Sequence, residues 1–174
     1  MKNVIFILSL ALFMSLFFAF GCSNGSNDVS ENQIAFDLIA SEKTLPDTFH
    51  DIAFERKETP HFQYLVKKAV NTSEFEDAWN LYAFQNKMPN VDLKEKDVFF
   101  IGVHESGSCS LKIKNMNLSA DNKTLNVPLT VPDGACTDDA TPRTFVIAID
   151  KKKTKNIENA VIVQSGTETS VPLK

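Results

Sequence analysis

Residues 97–150 read DVFFIGVHESGSCSLKIKNMNLSADNKTLNVPLTVPDGACTDDATPRTFVIAID, and the reading of this stretch decides the fold. Its apolar residues gather in short runs at 98–104, 110–116, 124–131 and 144–150, rich in Val, Ile, Phe and Thr. Such side chains suit a pleated, half-buried surface. Between the runs stand Ser106-Gly107, Asp121-Asn122 and Pro132-Asp133-Gly134, residue types that reverse a chain. The pattern continues with a run at 160–164, the turn Ser165-Gly166-Thr167 and a short strand at 170–173. Upstream, 33–40 and 63–70 read as two more strands, separated by a connection rich in proline and charge. One helix follows them. Ser73 is placed to cap it, Glu74, Glu76 and Asp77 favour the positive end of its dipole, and Phe75, Ala78, Trp79 and Tyr82 recur at helical spacing. The expected fold class is α+β, mainly β: an antiparallel β-sandwich or open barrel with one packed helix.

The N-terminus carries different information. Met1 and Lys2 precede an apolar run from Val4 to Phe20, the form of a secretory signal. The run ends in Ala19-Phe20-Gly21-Cys22, which resembles a bacterial lipobox, with small residues directly before the cysteine and two positions earlier. Ala19 stands in place of the commoner Leu, and Phe20 where a small residue is usual. Residues 1–21 are therefore expected to be removed and Cys22 acylated; the other open reading is an uncleaved anchor, because about 17 apolar residues is the lower limit for a spanning helix. Residues 22–32 are small and polar and read as a flexible tether, leaving 33–174 as one globular domain. The expected location is the extracytoplasmic side of a bacterial cell membrane, held by a lipid anchor.

The chain has three cysteines. With Cys22 acylated, Cys109 and Cys136 remain in an oxidising compartment and are expected to pair. Closing a loop of about 28 residues would stabilise by roughly 3 to 4 kcal/mol in the chain-entropy model. Their wide spacing differs from that of redox-active pairs.

A formal net charge of −4 with no basic stripe gives no footprint for nucleic acid. Lys151, Lys152, Lys153 and Lys155 read as a solvated turn. His50, His61 and His104 stand in no metalloprotease spacing, and no GxSxG surrounds a serine, so no catalytic residue is assigned. Asp133, Asp138, Asp139 and Glu105 supply hard oxygen ligands, yet their spacing matches no calcium loop; solvated acids, or an ion pair with Arg143, are the simpler reading. The Asn-x-Ser/Thr triplets at Asn71, Asn117 and Asn122 are chance occurrences beneath a bacterial lipobox. No metal or cofactor is expected.

Three segments together carry a resemblance: Met88-Pro89-Asn90-Val91-Asp92 before Val98-Phe99-Phe100-Ile101-Gly102; Glu105-Ser106-Gly107-Ser108; and Asp139-Ala140-Thr141-Pro142-Arg143-Thr144-Phe145-Val146-Ile147. Over about residues 89–150 the chain resembles the C-terminal domain of bacterial protease-complex lipoproteins of the PrcB type. Those domains have a strand, a Ser-Gly-Gly-Tyr loop, two further strands and a Thr-x-Pro loop. Here Ser108 replaces the second glycine, Cys109 replaces the tyrosine, and Pro142 directly follows Thr141. The loop order is also similar to that of chagasin-type protease inhibitors, as an analogy of fold. The resemblance implies an extracytoplasmic protein partner such as a protease.

A Cys109–Cys136 bond would draw the loop Glu105, Ser106, Gly107 and Ser108 toward the segment holding Asp138, Asp139, Thr141, Pro142 and Arg143. Loops stiffened beforehand lose less entropy on binding. Glu105 and Arg143 then read as charged anchors if exposed. Two function classes follow: a non-catalytic, surface-tethered protein-binding module, or a cell-envelope lipoprotein that binds a small ligand or ion in an acidic turn or between helix and sheet.

Overall fold

The computed structural model describes residues 32–173. The signal segment, Cys22 and nearly all of the tether lie outside the described residues. Among these residues no helix is long and apolar enough to cross a membrane.

Two strands form the spine. β4 (Lys96–Glu105) and β8 (Thr141–Asp150) pair antiparallel over their full length, from Lys96 opposite Asp150 to Glu105 opposite Thr141. Around them, β1 (Phe36–Glu42), β3 (Gln63–Ala69) and the short β2 (Phe54–Glu55) complete a five-stranded sheet in the order β1-β8-β4-β3-β2. The run Val98-Phe99-Phe100-Ile101 has no polar alternation because both faces of this sheet are covered. Phe99, Ile101 and Val103 face a second sheet, together with Tyr64, Phe145 and Ile147. Val98 and Phe100 face the other way, into a core with Phe75, Trp79 and Tyr82.

That outer layer is built on α2 (Thr72–Leu81), whose apolar stripe buries Phe75, Ala78 and Trp79. Trp79 stacks on Phe84 with centroids 4.3 Å apart, and Tyr82 stacks on Phe100 at 5.3 Å. Gly102 is required beneath the tyrosine, since a Cβ there would stand 2.7 Å from Leu45 and 3.0 Å from the Tyr82 ring. The helix cap differs from expectation: Asn71, not Ser73, accepts the Glu74 amide at 3.0 Å. Both candidates have a glutamate three residues on, but from Asn71 that glutamate also reaches back to the Val70 amide at 2.9 Å, satisfying a further donor. α1 (Phe49–Ile52), a single turn within the Pro-rich connection, adds buried Phe49 to the same layer.

The second sheet has the order β10-β9-β7-β5, with β6 also on β7. Its strands are β5 (Lys112–Ile113), β6 (Asn117–Leu118), β7 (Thr124–Thr130), β9 (Asn159–Gln164) and β10 (Thr167–Pro172). The two sheets enclose one core and neither closes into a barrel, so the architecture is the mainly β sandwich. Two details depart from the sequence reading. The run at 110–116 holds only the short β5, and β6 follows beyond its end, with Asn115 between the two at φ 47°, a left-handed position that asparagine tolerates. And β7 pairs parallel with β9, because the chain crosses to the first sheet as β8 before returning. The Ser165-Gly166 turn, with both residues at positive φ, closes the β9–β10 hairpin, and β10 begins at Thr167, three residues before the strand expected at 170–173.

The lysine-rich segment is not a wholly solvated turn. It forms α3 (Lys151–Thr154), and Lys151 points inward, its Nζ donating to the carbonyls of Val70 at 2.9 Å and Leu93 at 2.7 Å.

Candidate functional site

The antiparallel register places the end of β4 beside the start of β8 and the start of β3, so the segments that follow or precede them meet at one end of the sandwich. Cys109 and Cys136 are bonded there, with Cα atoms 5.5 Å apart. Cys109 is buried and Cys136 exposed. Polar contacts reinforce the bond. Gly107 donates its amide to Asp139 Oδ1 at 2.8 Å, Thr137 donates its amide to Ser108 Oγ at 2.9 Å, and the Ser106 and Thr137 hydroxyls lie 3.0 Å apart. A Cβ at Gly107 would collide with the Asp139 carboxylate, which is why this loop position is glycine. The Thr137 hydroxyl, then the Gly107 amide, hold the exposed Asp139 carboxyl below the usual carboxylate range.

Glu105 and Arg143 are not exposed anchors. The Glu105 side chain is fully buried and that of Arg143 is 11 % exposed; Glu105 Oε1 accepts from Arg143 Nε at 2.9 Å and Nη2 at 2.6 Å. Its other oxygen accepts the Leu111 amide at 2.8 Å. The pair is a strut beneath the loops: it sits on the facing strands β4 and β8, two residues out of register and so on one face of the sheet, where a carboxylate and a guanidinium meet diagonally. Thr141, Pro142 and Arg143 likewise belong to β8, with Pro142 opposite His104, so the loop ends at Ala140. What remains exposed is the whole run 131–140, including Asp138 and the large apolar Val131, 49 % exposed.

This run forms one wall of an open cleft of about 610 Å³. Also lining it are His50, His61 and His104, all three histidines of the chain. His50 Nδ1 lies 2.8 Å from Gln63 Oε1, and His61 Nδ1 3.2 Å from the Arg56 carbonyl. The His50 and His104 rings stack at 5.9 Å, and Phe49 meets His104 edge-on at 5.1 Å. Burial first, and His50 second, push the His104 imidazole below its ordinary value. Gln164 lines the cleft floor, donating to the His104 carbonyl at 3.1 Å and accepting from buried Tyr64 Oη at 3.1 Å. Asp138 and Asp139 line the cleft and Asp133 does not; among the described residues no three His, Cys, Asp or Glu side chains are grouped to hold a metal.

The histidine cluster escapes sequence reasoning because no two of its members share a motif or an element. One signal was present: His61 precedes one strand run and His104 ends another, and antiparallel pairing of those runs brings the two together.

Comparison with family models, with curated proteins and with solved structures gives no match to this chain.

Proposed function

We propose that this chain is a non-catalytic lipoprotein, tethered through Cys22 to the outer face of a bacterial cell membrane, whose loop end binds another extracytoplasmic protein. The observation that carries the reading is the exposed run 131–140, pinned by a disulfide and by Asp139 and Thr137 to the neighbouring Ser106–Ser108 turn and set beside an open cleft. A recognition surface already stiff before contact keeps more of its contact energy as affinity. The resemblance to PrcB-type lipoproteins names a protease as the first partner to try.

The test is capture from an envelope extract by the full-length protein in detergent, compared with a Val131→Asp, Asp138→Ala variant. Both changes are on exposed side chains, so the variant should melt as the parent does. A protein retained by the parent and lost by the variant supports the reading; equal retention moves the surface elsewhere. The cleft itself favours a second reading, in which a small envelope ligand is bound; a ligand-induced rise in melting temperature without a captured protein would select it. Tethering is tested separately: Cys22→Ala should abolish fatty-acid labelling and release the protein from the membrane fraction.

A further inference from the structure

We propose that the cleft takes a positively charged, hydrogen-bond-donating group, a guanidinium or primary ammonium, presented on a side chain of the bound partner. The inference rests on the protein-binding reading above and adds the chemistry that the cleft selects. His50 and His61 each have Nδ1 beside an oxygen that only accepts, so in the neutral ring Nδ1 carries the proton and Nε2 is left as an acceptor. Neither Nε2, and neither ring nitrogen of His104, has a hydrogen bond to the described residues. A polar cluster facing a cleft with its acceptors unused is a set of sites for a donor.

Charge points the same way. No Lys or Arg is among the residues lining the cleft, whereas Asp138 and Asp139 are. Glu105 is neutralised by Arg143 beneath the floor, and Arg56, next to the His61 segment, is engaged by Glu58 at 2.8 Å. Phe62 adds an aromatic surface against which a cation can rest. An anion would meet the two aspartates and the Nε2 lone pairs of His50 and His61. A cationic donor meets complementary groups among both the histidines and the aspartates of the lining. Protonation would turn the His104 imidazole into a cation facing the ligand, with Asp138 and Asp139 on the same cleft. Binding therefore weakens as pH falls.

The experiment follows the imidazole signals of the full-length protein in detergent by NMR. All three histidines line this cleft, so that spectral region reports on it alone, and His50→Gln, His61→Gln and His104→Gln assign the peaks. The probes are the peptide acetyl-Gly-Arg-Gly-amide, the same peptide with citrulline in place of arginine, and agmatine as a free cation. The arginine peptide should shift the three signals at pH 7.5, the citrulline peptide should not, and Asp138→Asn should reduce the response. Affinity for the arginine peptide should be lower at pH 5.5 than at pH 7.5. Response to agmatine equal to that of the arginine peptide identifies a small free cation as the ligand and overturns the side-chain assignment. Equal shifts from arginine and citrulline peptides overturn the charge selection while leaving the protein-binding reading intact. No shift from any probe at about 10 mM, well past millimolar affinity, overturns the site; capture of an envelope protein by the same preparation then shows that the broader reading still stands.

Discussion

β4 ends in a buried carboxylate at each extremity, and the two are treated differently. At its start, Asp97 accepts from the Thr154 hydroxyl at 2.6 Å and lies 3.0 Å from Lys68 Nζ and 3.4 Å from Lys151 Nζ. The lysines close over it: Lys68 and Lys151 also donate to the carbonyls of Thr154, Val70 and Leu93. At the other extremity Glu105 is sealed by Arg143, yet it also lines a cleft in which the Nε2 atoms of His50 and His61 and both ring nitrogens of His104 have no hydrogen bond to the described residues. Asn32, where the described chain begins, lines a shallow cavity with Asp150 and Lys153, at the Asp97 extremity. Eight residue steps, from Asp97 to Glu105, separate the two by about 27 Å. One end spends its polar groups on closure and the other leaves part of them available.

The largest effect expected from breaking this comparison is at Glu105. Glu105→Ala strands the Arg143 guanidinium in a nearly dry setting and removes the acceptor of the Leu111 amide. A loss of about 3 to 5 kcal/mol is expected in urea unfolding. A change below about 1 kcal/mol would mean that the pair is solvated and can serve as a surface anchor after all.

Next comes the disulfide. Replacing both Cys109 and Cys136 with Ser should cost roughly 3 to 4 kcal/mol from the entropy of the opened loop. The damage should also be local in the folded state. Limited proteolysis is expected to cut within 131–140, leaving β4, β8 and the Asp97 extremity protected; uniform cleavage along the chain would show that the staple supports the whole sandwich rather than one wall.

Asp97→Ala should be milder, about 2 to 3 kcal/mol, although Asp97 is as deeply buried as Glu105. The reason lies in its partners: the Lys151 side chain is 36 % exposed and that of Lys68 16 %, so the released ammonium groups can turn toward water as Arg143 cannot. A loss exceeding that of Glu105→Ala in the same urea titration would reverse this ranking of the two ends.

The differing fates of the two ends explain what could be read beforehand. The apolar runs marked β3, β4, β7 and β8 because periodicity and turn chemistry act locally, and the Cys109–Cys136 bond was legible because setting Cys22 aside leaves two cysteines that have only each other. The burial of Glu105 and Arg143 was hidden because it depends on cross-strand register, which adjacent sequence does not state. The parallel β7–β9 pair was hidden for a related reason: the crossing between sheets leaves no mark on either strand. The histidine wall combines both difficulties, since residues 50, 61 and 104 meet only after three elements have docked.

The smallest expected effect is a pH dependence confined to the cleft. His104 is held below its ordinary value by burial and then by the neighbouring His50, so the folded state resists a proton that the unfolded chain accepts near 6.5. Below that pH the unfolded state binds more protons, and stability must fall as acidity rises until the folded-state value is passed. At pH 7 the contribution is fully present; at pH 5.5 part of it should be gone. Urea unfolding at the two pH values should therefore show a decline in the parent that is reduced in His104→Gln. Asp97→Ala should keep the parent's decline, because no histidine of the chain lies at its end. Greater stability of the parent at pH 5.5 would mean that protonated His104 is welcomed by Asp138 and Asp139, and the cleft would then favour an anion rather than a cation.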